Sequence, residues 1–408
     1  ESYASAQIKI YCYPKSNRRK KQREPNHKSY MVDSTCSEDF SDVCALVHSI
    51  RTLAGLQHHY HHSSATNSSN ARPQRFLVII NPYSGGNGPK SKSGALYIYE
   101  TILKSMLEQA GVEHESLATS YGGHAKERME WRQSNNNSDN TAALNGNGKE
   151  GGTNTCSDLE GRDISEYDAI IAMGGDGILF EIFQGIHARN DEEELLSKLK
   201  FGIVPCGTCN GLAKSILHWG DNADYTPIES VFQICKGHTS RLDLASYQLA
   251  KTKKTYTSFL SFSWGLIADC DLESECLRWL GAIRTDVWAV YRGILFPKKY
   301  RARFSYLPPS KTKNNDGVEL PKVDEALPKD WVTIEDDFSV FWVCNTTHAS
   351  YNVFTCPMSK MNDGVFHVLI VRSSVSRLRL LQMLLKLETG GHIDCKGLEI
   401  VRCLAYRL

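Results

Sequence analysis

Apolar and polar positions change rhythm midway along this chain of 408 residues. Between Phe76 and Leu217, short continuous apolar runs alternate with helical patterns. Phe76–Ile80, Val112–Thr119, Asp168–Met173 and Phe201–Pro205 read as strands. Leu96–Gly111, Ile178–Ala188 and Gly211–Leu217 read as helices. Strands apolar on both sides, each followed by a helix, predict a doubly wound parallel α/β domain. Ligands of such sheets sit beyond the carboxyl ends of the strands. From about Arg241 turn-separated segments take over: Asp243–Ala250, Tyr256–Trp264, Tyr300–Tyr306, Phe338–Cys344 and Val365–Val371. They predict an antiparallel β-sandwich, with helical stretches at Asp271–Phe296 and Val375–Leu387.

The remaining segments are polar. Residues 1–72 read as an irregular extension, with a strand-like alternation at Gln7–Tyr13, a basic cluster at Arg18–Lys21 and a short helical pattern at Cys44–Leu56. His58, His59, His61 and His62 are metal-ligand types, but a run set among Ser and Asn reads as a solvated linker. Ser134–Gly161, rich in Asn, Gly and Ser, has too little apolar surface to fold and reads as a disordered insertion. Pro308–Lys329 reads as a second linker. Single cores rarely exceed ~250–300 residues, so the expected division is an extension (1–72), an α/β domain (73–238) and a β domain (239–408).

Composition narrows the class. A formal net charge of +1 argues against nucleic acid as a partner. Thirteen cysteines, read as scattered without Cys-x-x-Cys pairs and odd in number, fit reduced thiols of a cytoplasmic chain better than a disulfide framework. No apolar run reaches the ~20 residues of a membrane span, and no signal peptide is visible at Glu1. A membrane substrate is therefore expected to be met from the water side.

Three glycine-rich turns each follow a buried strand: Asn81–Gly88, Gly174–Gly177 and Gly207–Asn210. Glycine lets backbone N–H groups approach an anion, and a following helix start favours negative charge. Three such turns at equivalent points predict a polyphosphate site rather than plain joints. The first is not a P-loop, because Pro89 precedes Lys90 and no register fits. Asp176 stands between glycines with Glu181 on the next helix. A carboxylate there can take a proton from a hydroxyl or hold Mg²⁺ on phosphates; helix capping is the structural alternative.

Gly174-Gly-Asp-Gly177, Gly207-Thr-Cys-Asn-Gly-Leu-Ala213 and Asn81-Pro-Tyr-Ser-Gly-Gly86 together resemble the catalytic fold shared by diacylglycerol, ceramide and sphingosine kinases. The Gly-Gly-Asp-Gly turn alone also occurs in NAD kinases and phosphofructokinases. Ser261–Glu275 with Arg278, Gly281 and Arg284 resembles sphingosine kinases specifically; Asn362-Asp-Gly364 and Val375-Ser-Arg377 extend the likeness, which covers most of 75–408. The resemblance implies a lipid kinase transferring phosphate from Mg²⁺-bound ATP to the primary hydroxyl of sphingosine and related sphingoid bases. It implies Asp176 as the base, with Gly177 beside the lipid. Around ATP it places Asn81, Pro82, Tyr83, Gly85, Gly86, Thr119, Gly123, Gly174, Gly175, Glu181, Gly207, Thr208, Cys209 and Asn210, with Arg278 and Arg284 on phosphates. Asp271 would hold the head group, and His348 would lie near a tail pocket in the β-sandwich. No dedicated metal ligand is implied.

Physical chemistry agrees with these roles. Asp271, Arg278 and Arg284 span roughly four helical turns and are expected on one helix. A carboxylate suits an amine-bearing lipid, whereas diacylglycerol offers no cation. About ten buried methylenes would supply roughly 8 kcal/mol gross. Two departures from the family stand out: Cys209 replaces a glycine, and the family's Asp-Gly-Glu segment falls beyond Leu408. The chain as given is therefore expected to bind sphingosine better than it phosphorylates it. Val375–Leu387, basic and amphipathic, reads as a core helix with a solvated face, or as a contact for a membrane surface or a calmodulin-like partner. Trp288–Arg301 is a second candidate for transient membrane contact, giving a cytoplasmic, peripherally membrane-associated enzyme. The alternatives are a ceramide or diacylglycerol kinase, or a lipid-binding pseudokinase.

Overall fold

The computed structural model describes residues 5–12, 26–33, 73–85, 91, 93–132, 161–220, 225–309 and 320–408. The chain forms two compact units: Glu1–Cys206 with Pro227–His238, and Gly207–Thr226 with Thr239–Leu408. The histidine run, the helix expected at Cys44–Leu56 and residues 134–160 lie outside the described residues.

In the first unit, β1 (Ser5–Cys12) pairs antiparallel with β2 (Asn26–Asp33), so the alternation at Gln7–Tyr13 does form a strand. There follow β3 (Arg75–Ile80), α1 (Ala95–Ile98), a π turn (Tyr99–Leu103), α2 (Lys104–Gln109), β4 (Glu113–Ala118) and α3 (His124–Glu130). Next come β5 (Ala169–Gly174), α4 (Asp176–His187), α5 (Glu192–Lys198) and β6 (Lys200–Pro205). After α6 (Gly211–Trp219), which belongs to the second unit, α7 (Pro227–Lys236) returns to the first. The sheet is wholly parallel, in the order β4-β3-β5-β6.

β3 and β5 are apolar on both sides because both sides are covered, whereas the edge strand β4 is largely polar. Phe76, Val78, Ile80, Ile171, Met173 and Val204 pack with Leu103, Leu107 and Val231 of the helices on one face. The alternate residues Leu77, Ile79, Ile170 and Ala172 are equally buried. Helices α3 and α4 pack closely on each other through Gly185 of α4. A Cβ at Gly185 would lie 2.4 Å from the Lys126 carbonyl oxygen and 2.6 Å from the Met129 Cβ. Gly185→Ala should therefore destabilise the protein by about 1–3 kcal/mol despite alanine's better helix propensity. Urea unfolding measures this, and an unchanged midpoint would show that the helices separate without cost.

The second unit contains β7 (Ala245–Gln248), β8 (Thr255–Ser258), β9 (Ser261–Gly265), α8 (Leu266–Glu273) and α9 (Arg284–Val290). Then come β10 (Tyr300–Leu307), β11 (Val332–Cys344), β12 (Phe366–Arg372), α10 (Arg377–Leu385), β13 (Leu398–Cys403) and β14 (Ala405–Arg407). The main sheet is antiparallel, in the order β13-β12-β11-β10-β14. The long β11 changes partner along its length: Val332–Phe338 pairs with β10, and Val340–Cys344 pairs with β9. Alternation then sorts two cores. Phe338, Phe341, Val343, Val368 and Ile370 join one. Val340, Trp342, Cys344, Leu369 and Val371 join the other, with Leu266 and Cys270 of α8 and Leu380 and Met383 of α10.

Two expectations change here. Tyr256–Trp264 is not one strand: it breaks at buried Phe259, with β8 pairing with β7 and β9 with β11. Asp271–Phe296 is not one helix: α8 begins at Leu266, a 3-10 segment covers Ser274–Ile283, and a π turn covers Tyr291–Leu295 after α9. Asp271, Arg278 and Arg284 therefore lie on three successive helical elements. The spacing of a straight α-helix does not relate them.

Candidate active site

The carboxyl edge of the parallel sheet gathers the first two glycine turns. Beyond β3, the Asn81 N–H donates to the Met173 carbonyl of β5 (2.9 Å), and its Oδ1 accepts the Tyr83 N–H (3.0 Å). Pro82 is buried and Tyr83 exposed. Gly85 has φ +86°, and a Cβ there would lie 2.5 Å from the Ser93 carbonyl oxygen and 2.6 Å from that of Cys206. Only glycine fits such a turn. Gly86 lies outside the described residues.

The second turn packs on the first. A Cβ on Gly174, the last residue of β5, would lie 3.3 Å from both the Asn81 Cβ and the Ser84 Oγ. Ser84, which sequence reasoning did not single out, thus faces the Gly-Gly-Asp-Gly turn. Gly175 occupies the N-cap position of α4, with no side-chain cap bond, and Asp176 is the first helical residue. Asp176 is therefore not the capping residue. It is half-buried, and the space beside Gly177 is open to 4 Å. Glu181 lies half-buried on the same helix. Beyond β4, Thr119 is buried, its N–H donating to the Ile80 carbonyl at 2.8 Å. Gly123, at φ +93°, precedes α3.

The third turn belongs to the second unit. The Gly207 N–H donates to Asn210 Oδ1 (3.1 Å), and Asn210 Nδ2 donates to the Gly207 carbonyl (2.6 Å). Asn210 is buried in a left-handed conformation, φ 51°, which asparagine tolerates. Thr208 and Cys209 are exposed. Cys206 and Cys209 stand at Cys-x-x-Cys spacing, which reading the cysteines as scattered passed over. Both are free thiols, and burial pushes that of Cys206 up to about 12.

Also in the second unit, α8 carries three carboxylates. Asp269 accepts from Lys298 Nζ (2.9 Å) and the Tyr300 hydroxyl (2.6 Å). Glu273 accepts from Arg292 Nε (2.5 Å), Lys298 Nζ (2.8 Å) and Trp288 Nε1 (3.0 Å), and Arg292 and Lys298 hold it near 2. Asp271 differs: among the described residues none hydrogen-bonds its carboxylate. It keeps an exposed edge, yet desolvation by surrounding protein raises its pKa, opposed by the charge of Arg284. Cys270, next to it, is buried in the apolar core. Arg284 starts α9 and pairs with Glu275; Arg278 lies in the 3-10 segment between.

His348 is buried, stacked on Phe354 at 4.5 Å and edge-on to His218 at 5.3 Å. Burial, with His218 and Lys214 nearby, pulls it down to about 4, so it is neutral at pH 7. Helix α10 turns Leu380 and Met383 into the core, as expected of a core helix with a solvated face.

Residues 75–247 match the diacylglycerol kinase catalytic domain family. Mouse sphingosine kinase 1 is 30% identical over 355 residues, covering 83% of each chain. Human sphingosine kinase 1 is 28% identical over 356 residues, again with 83% of each covered. A solved structure named for a diacylglycerol kinase from Bacillus anthracis str. Sterne is 18% identical, with a TM-score of 0.50 over 82% of this chain and 85% of its own. It shares the fold. The matching family and relatives define a lipid kinase. The chain belongs to the sphingosine kinase family.

Proposed function

We propose that this chain transfers the γ-phosphate of ATP to the primary hydroxyl of sphingosine and related sphingoid bases, yielding the 1-phosphate and ADP. The observation that carries the substrate is Asp271: of the three acids on α8 its carboxylate alone accepts no hydrogen bond among the described residues, and it follows Cys270, which is buried in an apolar core. An unpaired carboxylate beside an apolar core suits a cationic amine on a long chain. The α/β unit then serves ATP, and the second unit serves the lipid and also offers groups to phosphate. The Gly174–Gly177 turn offers backbone N–H groups to phosphate oxygens. The turns at Asn81–Gly85 and Gly207–Asn210, where the Asn81, Tyr83, Ser84 and Gly207 N–H groups already have acceptors, contact ATP as well, and Arg278 and Arg284 meet phosphates. Asp176 takes the hydroxyl proton as the oxygen attacks the γ-phosphorus.

The residues present fit a Mg²⁺ carried in by ATP. No cluster of three or more His, Cys, Asp or Glu side chains occurs among the described residues, and Mg²⁺ commonly needs only one or two carboxylates beside phosphate and water. Glu181 would hold it, and its charge would offset that of the phosphates.

No helix among the described residues is long and apolar enough to cross a membrane. Exposed Leu295 and Phe296, followed by exposed Lys298 and Lys299, support transient contact with a membrane surface during substrate capture.

Transfer of label from γ-³²P-ATP to sphingosine, ceramide and diacylglycerol in parallel tests the reading. Sphingosine should be the preferred acceptor; preference for either neutral lipid, or no transfer, would overturn it. Asp271→Ala should raise the sphingosine KM about 10- to 100-fold, the worth of one charge-assisted hydrogen bond, and the ATP KM little. Equal effects on both would assign Asp271 a structural role.

A further inference from the structure

The third glycine turn is fastened to a loop whose other side lies in the apolar core of the same unit. The Cys209 carbonyl accepts the Tyr351 N–H at 2.8 Å, and Asn210 forms an isolated bridge with Ser350. Gly211 lets the loop close in: a Cβ there would lie 2.7 Å from the carbonyl oxygens of both His348 and Ala349. Ser215 Oγ accepts the His348 N–H at 3.0 Å and donates to the Gly211 carbonyl at 2.8 Å. The same loop then turns inward. The Ala349 N–H is shared between the Val353 carbonyl at 3.0 Å and Thr355 Oγ1 at 3.2 Å, and the Cys356 N–H donates to the Thr347 carbonyl at 3.0 Å. Ala349, Val353 and Cys356 pack in the core beside Leu266 and Cys270. Asn210, Ser215, Thr347, His348 and Thr355 are each 5% exposed or less. A buried polar chain of this kind has little slack, because an unmade hydrogen bond there leaves a desolvated group unpaired.

We infer that this chain of buried groups makes Thr355 and Ser215 positioning residues, which link occupancy of the apolar core by an alkyl chain to the shape of the Gly207–Asn210 turn. The inference rests on the proposed roles of core and turn. An alkyl chain against Val353 and Cys356 fixes the loop, and the loop fixes the carbonyl of Cys209 and the left-handed Asn210. Lipid and nucleotide then bind with a shared coupling free energy, which must be reciprocal.

The test titrates the full chain with the non-transferable ATP analogue AMP-PNP, with and without sphingosine in mixed micelles, and then in the reverse order. Sphingosine should tighten AMP-PNP about fivefold or more, and AMP-PNP should tighten sphingosine by the same factor. Thr355→Val, nearly isosteric, should reduce this factor to about one while each ligand alone still binds, and Thr355→Ser should restore it. Ser215→Ala, at the other end of the chain of groups, should act like Thr355→Val and covers the case in which that variant does not fold. Coupling that survives both substitutions would overturn the inference. So would AMP-PNP affinity unmoved by sphingosine in a protein that still phosphorylates it, leaving the kinase reading intact. Absence of transfer to sphingosine would instead overturn the reading on which the inference rests.

Discussion

Asp176→Asn is expected to slow phosphoryl transfer roughly 10²–10⁴-fold with the fold intact, the usual worth of a positioned general base. The carboxylate sits on the first residue of α4, where β5 ends and the turn opens beside Gly177. Asparagine keeps the shape and removes the proton acceptor. Gly175, not Asp176, is the N-cap of α4, so the exchange leaves the capping residue in place. A merely structural Asp176 would show its loss in the melting temperature; a catalytic one shows it in kcat, with the KM of ATP and sphingosine nearly unchanged. Single-turnover rates beside a thermal melt separate the two. Near-normal turnover in a folded Asp176→Asn protein would remove Asp176 from the chemistry.

What the sequence disclosed follows from how each residue is buried. Strands β3, β5 and β6 were legible because sheet positions covered on both faces must be apolar, so Phe76–Ile80 and Asp168–Met173 stand out as unbroken runs. Asp176 was legible because glycines frame it. Helices α3 and α5 were not, since His124–Glu130 and Glu192–Lys198 carry few apolar residues and turn mostly charged faces outward. The stretch after Asp271 has helical periodicity on average, yet hydrophobic spacing does not separate α-helix from the 3-10 turns at Ser274–Ile283. Three acids on α8 look equivalent in sequence. Only the fold brings Lys298, Arg292 and Tyr300 to Asp269 and Glu273 and passes over Asp271. The contact between Ser215 and His348 spans 133 positions, and no local pattern announces it.

Arg189→Met is expected to destabilise the protein by about 3–5 kcal/mol, the cost of removing one partner from a buried ion pair. Arg189 follows α4, and its side chain is 3% exposed. It donates to the carbonyls of Met129 (3.2 Å) and Trp131 (3.1 Å), to Asp163 (3.1 Å) and to Asp191 (2.8 Å). Trp131 and Asp163 are far apart in sequence, so one guanidinium ties two separate stretches of the α/β unit together. Methionine fills much of the volume but satisfies none of the four acceptors. The pH dependence distinguishes ion pairing from packing. Arg189 first, then Arg132, lowers Asp191 to about 2, and hydrogen bonds from Ser165 and Arg189 lower Asp163 against the opposing effect of burial. A depressed carboxylate pKa contributes stability that is complete above the unfolded value of ~3.9 and is lost as pH falls through the folded value. The wild-type advantage over Arg189→Met should therefore be full at pH 7 and shrink between about pH 4 and pH 2. Urea unfolding of both proteins at pH 7, 4 and 2.5 reads it directly. A gap that stays constant across that range would mean that Arg189 stabilises by packing and carbonyl contacts alone, and that the two aspartates contribute nothing through charge.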